Sequence, residues 1–86
     1  MNDLDKKRKQ LIFRSWHRGT KEMDLLLGSF ADKYVPSFSD AQVDQYAHIL
    51  TYNDPDLYNW ITGKEPPDDD MPQDMFKLLE NHRYTA

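Results

Sequence analysis

The sequence predicts an all-α fold, a single domain formed by a small bundle of about five short helices. Three observations lead to this prediction. Apolar residues recur at spacings of three and four, which is the periodicity of an amphipathic helix. No stretch alternates between apolar and polar residues at the period of two that a half-buried strand shows. Glycine, proline and helix-capping residues divide the 86 residues into segments of helical length.

The first two predicted helices span about residues 4–17 and 20–35. The second has the clearest apolar stripe, formed by Met23, Leu26, Leu27, Phe30 and Tyr34. Gly19 separates the two helices, and a glycine just past a helix end commonly adopts a positive φ. Pro36 ends the second helix, because proline has no amide hydrogen and clashes with the preceding turn.

The next two helices are predicted from their capping residues. Ser39 and Gln42 have the spacing of a capping box, which places the start of the third helix at Ser39. Asp54 is predicted to accept the first amide hydrogens of the fourth helix, with Pro55 at its first helical position. Gly63 is predicted to end this helix.

The remaining residues are assigned to a loop, a last helix and the chain ends. Residues 63–71 form an acidic loop, because they combine two prolines with consecutive aspartates. The last helix spans about residues 71–82. Residues 1–7 and 83–86 are predicted to be frayed ends of the single domain.

Composition excludes several classes of function. Residues 1–22 carry seven Lys or Arg and three acidic residues, whereas residues 23–86 carry four and twelve. Since a nucleic-acid-binding domain usually presents a basic face on a basic body, we expect no nucleic-acid partner. The absence of cysteine excludes disulfides and thiolate chemistry. The apolar runs are too short for membrane insertion and the N-terminus lacks the apolar core of a signal peptide, so we expect a cytoplasmic protein.

No catalytic or metal-binding set is evident in the sequence. The three histidines are isolated, and none has the spacing of a helical zinc motif. No serine has the context of a nucleophile elbow, and the glycines lie too far apart to cradle a phosphate. The aspartates at 68–70 lack the alternating spacing and the closing glutamate of a calcium loop, so they are interpreted as a solvated turn. An autonomous enzyme and a bound metal ion are therefore not expected.

The first candidate functional feature is a charged string at the corner between the first two predicted helices. Arg18 and Glu22 place opposite charges on either side of Gly19, and a glycine lets another backbone approach closely. We therefore expect an exposed corner that binds a partner. A structural interpretation stays open, in which Glu22 stabilises the start of the second helix and Arg18 binds the last carbonyls of the first.

The second candidate feature is the string Asn53–Trp60. Most of it is interpreted as a helix start whose aromatic pair, Tyr58 and Trp60, packs into the core. Asp56 and Tyr58 are also kept as candidate binding residues.

Together the two strings resemble a known family. The pattern Arg18-Gly19-x-x-Glu22, followed later in the chain by Asp54–Trp60, is similar to that of the succinate dehydrogenase assembly factor 2 family. These are the small flavinylation factors of bacteria and mitochondria. The run Glu22–Leu27, the chain length and the order of the helices agree with the same family.

The resemblance implies a function. It implies a helical assembly factor that binds the flavoprotein subunit of succinate dehydrogenase, with the fumarate reductase flavoprotein as a second candidate partner. Such a factor promotes covalent attachment of FAD to a histidine of that subunit, by holding the flavoprotein's domains where flavin and histidine meet. FAD is then attached to the partner and not bound stably by this chain, which is expected to be a monomer when free.

The resemblance also implies a binding surface. Carried over by position, Arg18, Gly19 and Glu22 form the surface that contacts the partner. Many family members have a second basic residue before the Arg-Gly pair, and His17 stands at that position here. His17 therefore joins Asp56 and Tyr58 among the candidate contacts.

Two other functions stay open at this point. One is a protein that binds free FAD and delivers it, although the sequence has no phosphate-binding loop and an acidic body would repel a diphosphate. The other is a regulatory protein-binding module, such as an antitoxin-like partner of a small membrane protein, which the same exposed corner would serve.

Overall fold

The structure is a computed structural model that describes residues 3–82. Within this range it consists of five α-helices and one short 3-10 turn, Val35–Ser37, without strands. The helices are α1 (Asp3–Trp16), α2 (Lys21–Tyr34), α3 (Asp40–Ile49), α4 (Asp54–Ile61) and α5 (Gln73–His82). The predicted all-α bundle of short helices is confirmed.

The first helix begins earlier than the sequence predicted. Residues 3–7 form its first turns and are not a frayed end. Hydrogen bonds of the Arg8 side chain stabilise this part of α1. Its Nη1 donates to the Asp5 carboxylate at 3.1 Å, and its Nη2 donates to the carbonyl oxygen of Phe38. The other ends predicted to be frayed, residues 1–2 and 83–86, lie outside the described residues.

Helices α1 and α2 pack along each other more extensively than any other pair in the described range. Gly28 of α2 makes this possible, because the indole of Trp16 lies directly on it. A Cβ atom at position 28 would lie 2.2 Å from the indole Cδ2, a separation that real Cβ contacts do not show. The indole Nε1 donates to Asp32 at 3.2 Å, which fixes the ring across α2.

The core lies between these two helices and α3 to α5. Its largest fully buried side chains include Tyr46, Phe30, Met23 and Leu27. The Tyr46 hydroxyl lies 2.6 Å from the Oγ of buried Ser15, which itself donates to the Leu11 carbonyl at 2.7 Å. Burial therefore leaves neither hydroxyl without a hydrogen-bond partner, and the pair joins α1 to α3.

Most of the predicted capping residues have the predicted roles. Ser39 and Gln42 form both bonds of a capping box at the start of α3. Gly63 follows α4 with a φ of 82°. The N-cap of α4 is different: Asn53, not Asp54, accepts the hydrogen bond from the Asp56 amide, at 3.0 Å. The carboxylate of Asp54 is therefore available for another contact.

Candidate functional site

Arg18 joins the corner between α1 and α2 to the start of α4. Its Nε donates to Asp54 Oδ1 at 2.8 Å, and its Nη2 lies 2.7 Å from the same oxygen. Its Nη1 donates to the Leu50 carbonyl at 3.2 Å and its Nη2 to the Tyr52 carbonyl at 3.0 Å. These carbonyls follow the end of α3, so Arg18 binds that helix end. The structural interpretation expected Arg18 to bind the end of α1 and is wrong on this point.

The Arg18 side chain does not lie on an exposed corner. Only 12% of it is exposed, and 16% of its partner Asp54. A guanidinium with three oxygen partners in this position has little surface left for another protein. The predicted exposure of Arg18 is therefore wrong, and its observed contacts are internal.

Gly19 lies against the other oxygen of the same carboxylate. Its amide donates to Asp54 Oδ2 at 2.7 Å, and a Cβ atom at position 19 would lie 3.1 Å from that oxygen. Gly63 is the glycine with a positive φ in the described residues, so Gly19 does not use the positive φ that a glycine after a helix end tolerates. Because the carboxylate approaches the backbone closely, a side chain at this position would require the carboxylate to shift.

The two candidate strings meet in an open groove of about 420 Å³ between the start of α2 and the first turns of α4. Asp54 lines it together with Thr20, Glu22, Met23, Pro55, Tyr58 and Asn59. Glu22 is exposed, and no hydrogen bond or ion pair within residues 3–82 occupies its carboxylate. Tyr58 is 37% exposed, whereas Met23 is buried beneath the groove. The groove thus combines a free carboxylate, an aromatic ring and an apolar base.

The other predicted site residues lie outside this groove. His17 is exposed at the end of α1, where its ring stacks on Phe13 with centroids 4.0 Å apart. Its Nδ1 lies 2.7 Å from the Phe13 carbonyl oxygen. Asp56 is half-buried in the first turn of α4 and does not line the groove. Of the candidates, the structure brings Glu22 and Tyr58 together.

Sequence reasoning missed Asp54 as the residue that organises the site. It assigned this aspartate a local role as a helix cap, and no local pattern links it to Arg18, which lies 36 residues earlier. Asp24 was missed in the same way: its carboxylate accepts the Arg18 amide at 2.5 Å.

Tyr52 connects the same site to the acidic loop. Its carbonyl accepts from Arg18, and its hydroxyl donates to the Asp68 carboxylate at 2.8 Å. Burial of the ring and the adjacent Asp68 carboxylate raise the pKa of Tyr52 to about 12. The ring also meets Trp60 edge-on, with centroids 5.0 Å apart. The loop is therefore held against α4 from outside the groove.

The chemistry of the groove favours binding and does not suit a dinucleotide. The charged groups that line it are the carboxylates of Glu22 and Asp54. Asp54 binds Arg18, and Lys64 lies beside the groove against Tyr58. The diphosphate of FAD would meet the unpaired Glu22 carboxylate on this lining. In the described part of the chain, no group of three or more metal-ligating side chains lies together. No helix in residues 3–82 is long and apolar enough to cross a bilayer.

The fold and the groove are typical of a small helical binding protein. The chain belongs to the family described as "Flavinator of succinate dehydrogenase", whose model matches residues 9–83. The predicted resemblance is confirmed.

Three relatives show how far the similarity extends. The succinate dehydrogenase assembly factor 2, mitochondrial, of Dictyostelium discoideum is 35% identical over 82 residues, which cover 95% of this chain and 58% of that protein. Assembly factor 2-B of Drosophila ananassae is 36% identical over 92% of this chain and 50% of its own length. The succinate dehydrogenase assembly factor 2 of Aspergillus flavus is 38% identical over 72 residues, which cover 84% of this chain and 25% of that protein. The chain thus spans about half the length, or less, of several curated relatives it matches.

The predicted cytoplasmic location is contradicted by these comparisons. The relatives carry the word mitochondrial in their names. The prediction rested on the lack of signal features at the N-terminus, and such a lack does not determine a compartment.

Proposed function

We propose that this chain is an assembly factor that binds the flavoprotein subunit of succinate dehydrogenase and promotes covalent attachment of FAD to it. The family description and the names of the relatives support this function. The observation that carries it is the groove, in which Glu22 of the first string and Tyr58 of the second line one surface. The relatives' names also support a mitochondrial location.

The factor acts by positioning. It holds the flavoprotein in an arrangement in which the flavin meets the acceptor histidine, and the bond forms by the flavoprotein's own chemistry. Holding two reacting groups in the correct geometry lowers a barrier by several kcal/mol without a reacting group from the helper. The protein is therefore a chaperone and not an enzyme, and FAD is bound by its partner. The unpaired Glu22 carboxylate in the groove supports this assignment over direct delivery of FAD.

The site residues divide into contact residues and positioning residues. Glu22, Tyr58 and the exposed backbone at Gly19 contact the flavoprotein. Arg18 and Asp54 position them, because their ion pair fixes the start of α4 beside the start of α2.

Two candidate residues remain at the edge of this surface. His17 extends it along α1, and Asp56 contributes negative charge beside the groove. The free protein is a monomer in this proposal, and the fumarate reductase flavoprotein is a second partner.

The test is the amount of covalent flavin on the flavoprotein subunit, read as in-gel fluorescence after denaturation. Cells that lack their own factor receive the wild-type chain, Glu22→Gln or Glu65→Gln. The last variant is a matched control, because Glu65 is an exposed glutamate of the loop after α4. We expect wild type and Glu65→Gln to restore the signal and Glu22→Gln to lose most of it.

Two results would contradict the proposal. If a folded wild-type chain restores no covalent flavin and does not co-purify with the subunit, the assembly function is wrong, and a regulatory protein-binding module is the better assignment. If the isolated chain quenches flavin fluorescence at micromolar concentration, direct delivery of FAD replaces positioning.

A further inference from the structure

In the free protein a cation already lies against Tyr58, one of the residues that line the groove. Lys64, in the loop after α4, places its Nζ 5.6 Å from the centroid of the Tyr58 ring. A cation at this distance from an aromatic ring is attracted by the negative charge on the ring face. Because Tyr58 is 37% exposed, part of its ring is open to a second molecule.

Negative charge lines the same groove. Three carboxylates lie near the corner, and two of them are used internally: Asp24 accepts the Arg18 amide and Asp54 binds the Arg18 side chain. Glu22 is the third, and no internal bond within the described residues occupies it. A cationic side chain entering the groove would therefore find one free carboxylate.

The groove also has apolar surface for a hydrocarbon chain. Met23 is buried beneath it and Pro55 lines it from the start of α4. Long cationic side chains place their methylene groups on such surface while their charged end reaches a polar partner. Carboxylate, aromatic ring and apolar base together match one chemical class of side chain.

We propose that the groove binds an arginine side chain of the partner protein, with its guanidinium against the Glu22 carboxylate and the Tyr58 ring. Arginine fits better than lysine, because its planar guanidinium is weakly hydrated, stacks on aromatic rings and binds carboxylates through two hydrogen bonds. In the free protein Lys64 does not line the groove but lies against the same ring, so it competes with the incoming group for Tyr58. The identity of the partner rests on the proposed function, whereas the arginine site does not.

The test is a titration of the free, isotopically labelled protein followed by NMR. The probe is N-acetyl-arginine amide, and the control is N-acetyl-citrulline amide, which has nearly the same shape and no charge. We expect the arginine probe to shift the amide signals of Glu22, Tyr58 and Asn59 in a saturable way, and the citrulline probe to leave them unchanged. Glu22→Gln should weaken the arginine probe about fivefold, the scale of one partly exposed ion pair.

A second pair of variants tests the competing lysine. Lys64→Met removes the cation beside Tyr58 and should tighten the arginine probe about twofold. Lys77→Met is the matched control, because it removes the same charge from an exposed position on α5. We expect it to change the affinity much less.

The proposal is overturned if the citrulline probe causes the same shifts, if the shifts lie outside the groove, or if Glu22→Gln binds as tightly as wild type. Equal effects of Lys64→Met and Lys77→Met would show a general charge effect in place of a site. The titration contains no flavoprotein, so its failure is distinguishable from a failure of the flavin measurement. An arginine site without any effect on covalent flavin would instead retain the site and reject the partner.

Discussion

The guanidinium of Arg18 and the carboxylate of Asp54 meet at 2.7 Å and connect the α1–α2 corner to the start of α4. The two oxygens of Asp54 divide their contacts, one to the Arg18 side chain and one to the Gly19 amide. Arg18 and Gly19 of the first string therefore bind the Asp54 carboxylate of the second string. This relationship places Glu22 and Tyr58 on opposite elements of one groove.

Removal of Arg18 should destabilise the fold and not merely the surface. Arg18→Ala leaves one oxygen of a mostly buried carboxylate and two carbonyls without the Arg18 donor, so we expect a loss of about 2–3 kcal/mol in the free energy of unfolding. Urea denaturation followed by circular dichroism measures it. Arg14→Ala is the control, because Arg14 is an exposed arginine on the neighbouring turn and should cost less than about 0.5 kcal/mol.

A double-mutant cycle with Asp54→Ala separates this ion pair from the other contacts of Arg18. We expect a coupling free energy of about 1–2 kcal/mol between the two positions, since they share hydrogen bonds. Additive losses would mean that the carbonyls after α3 account for the role of Arg18, and that Asp54 contributes through Gly19.

The helices and the groove differ in how far they could be predicted from the sequence. The capping box of Ser39 with Gln42 and the end of α4 at Gly63 depend on residues close in sequence, and both were predicted. The contact of Arg18 with Asp54 depends on the packing of three helices, so no spacing rule reveals it. Asn and Asp are nearly equivalent as helix caps, and the sequence alone therefore did not show that Asn53 takes this role.

The same distinction applies to the contact residues. Glu22 and Tyr58 were both named from the sequence, but their presence in one groove follows from tertiary packing. Tyr58 was also predicted to pack into the core with Trp60. The structure buries Trp60 and leaves Tyr58 exposed. Two aromatics at neighbouring helix positions point in different directions, and only the packing decides which one is buried.

Substitution of Gly19 should impair flavinylation more than it impairs folding. Its φ is not positive, so a side chain is permitted by the backbone but displaces the Asp54 carboxylate, which lies 3.1 Å from the added Cβ atom. We expect Gly19→Arg to keep the helical circular dichroism of wild type and to abolish support of flavinylation. Gly19→Ala should lose about 1 kcal/mol of stability, the order of one hydrogen bond.

Gly63→Ala is the control for the Gly19 variants. Gly63 has a φ of 82° and no atom within 4 Å of an added Cβ, so Gly63→Ala strains the backbone without touching the groove. It should cost about 1 kcal/mol of stability and leave covalent flavin unchanged. If Gly19→Arg unfolds, or if Gly63→Ala loses flavinylation equally, Gly19 is structural and not part of the contact surface.

Replacement of the exposed aromatic residues should locate the binding surface. Tyr58→Ala removes a groove wall and should reduce covalent flavin strongly with less than about 1 kcal/mol lost in stability, because the ring is partly exposed. Phe13→Ala removes the other exposed large aromatic residue in the described range, which is 64% exposed and whose ring stacks on His17. It should retain flavinylation. Loss of function in Phe13→Ala alone would move the contact surface to α1.

Gly28 should be intolerant of even a methyl group. Alanine favours a helix over glycine by about 1 kcal/mol, yet its Cβ would lie inside the Trp16 indole. Displacement of the ring should exceed that gain, and we expect a net loss of about 1–2 kcal/mol with a changed tryptophan fluorescence spectrum. Trp16→Leu combined with Gly28→Ala should recover part of the loss. If Gly28→Ala alone is stabilising, the indole does not pack as described.

The free energy of unfolding should fall as the pH is lowered, because His82 becomes protonated. The ring Nε2 lies 2.9 Å from the Ser29 hydroxyl, and the imidazole meets Phe30 and Tyr34 edge-on at the junction of α5 with α2. Burial and the nearby Lys33 ammonium lower the pKa of His82 below its ordinary value of 6.5. Below that value the unfolded chain binds the proton more readily than the folded one, so acid favours unfolding. The contribution is fully present above pH 6.5 and is lost as the pH falls from there through the lowered pKa.

Urea denaturation at about pH 7.5, 6.5 and 5.5 measures this loss as a decline in the free energy of unfolding. Lys33→Met should make the decline shallower, because it removes one of the two causes of the lowered pKa. His82→Gln should flatten it further, because glutamine does not titrate. Identical pH profiles for wild type and His82→Gln would show that this junction does not couple protonation to stability, and that other groups account for any acid sensitivity.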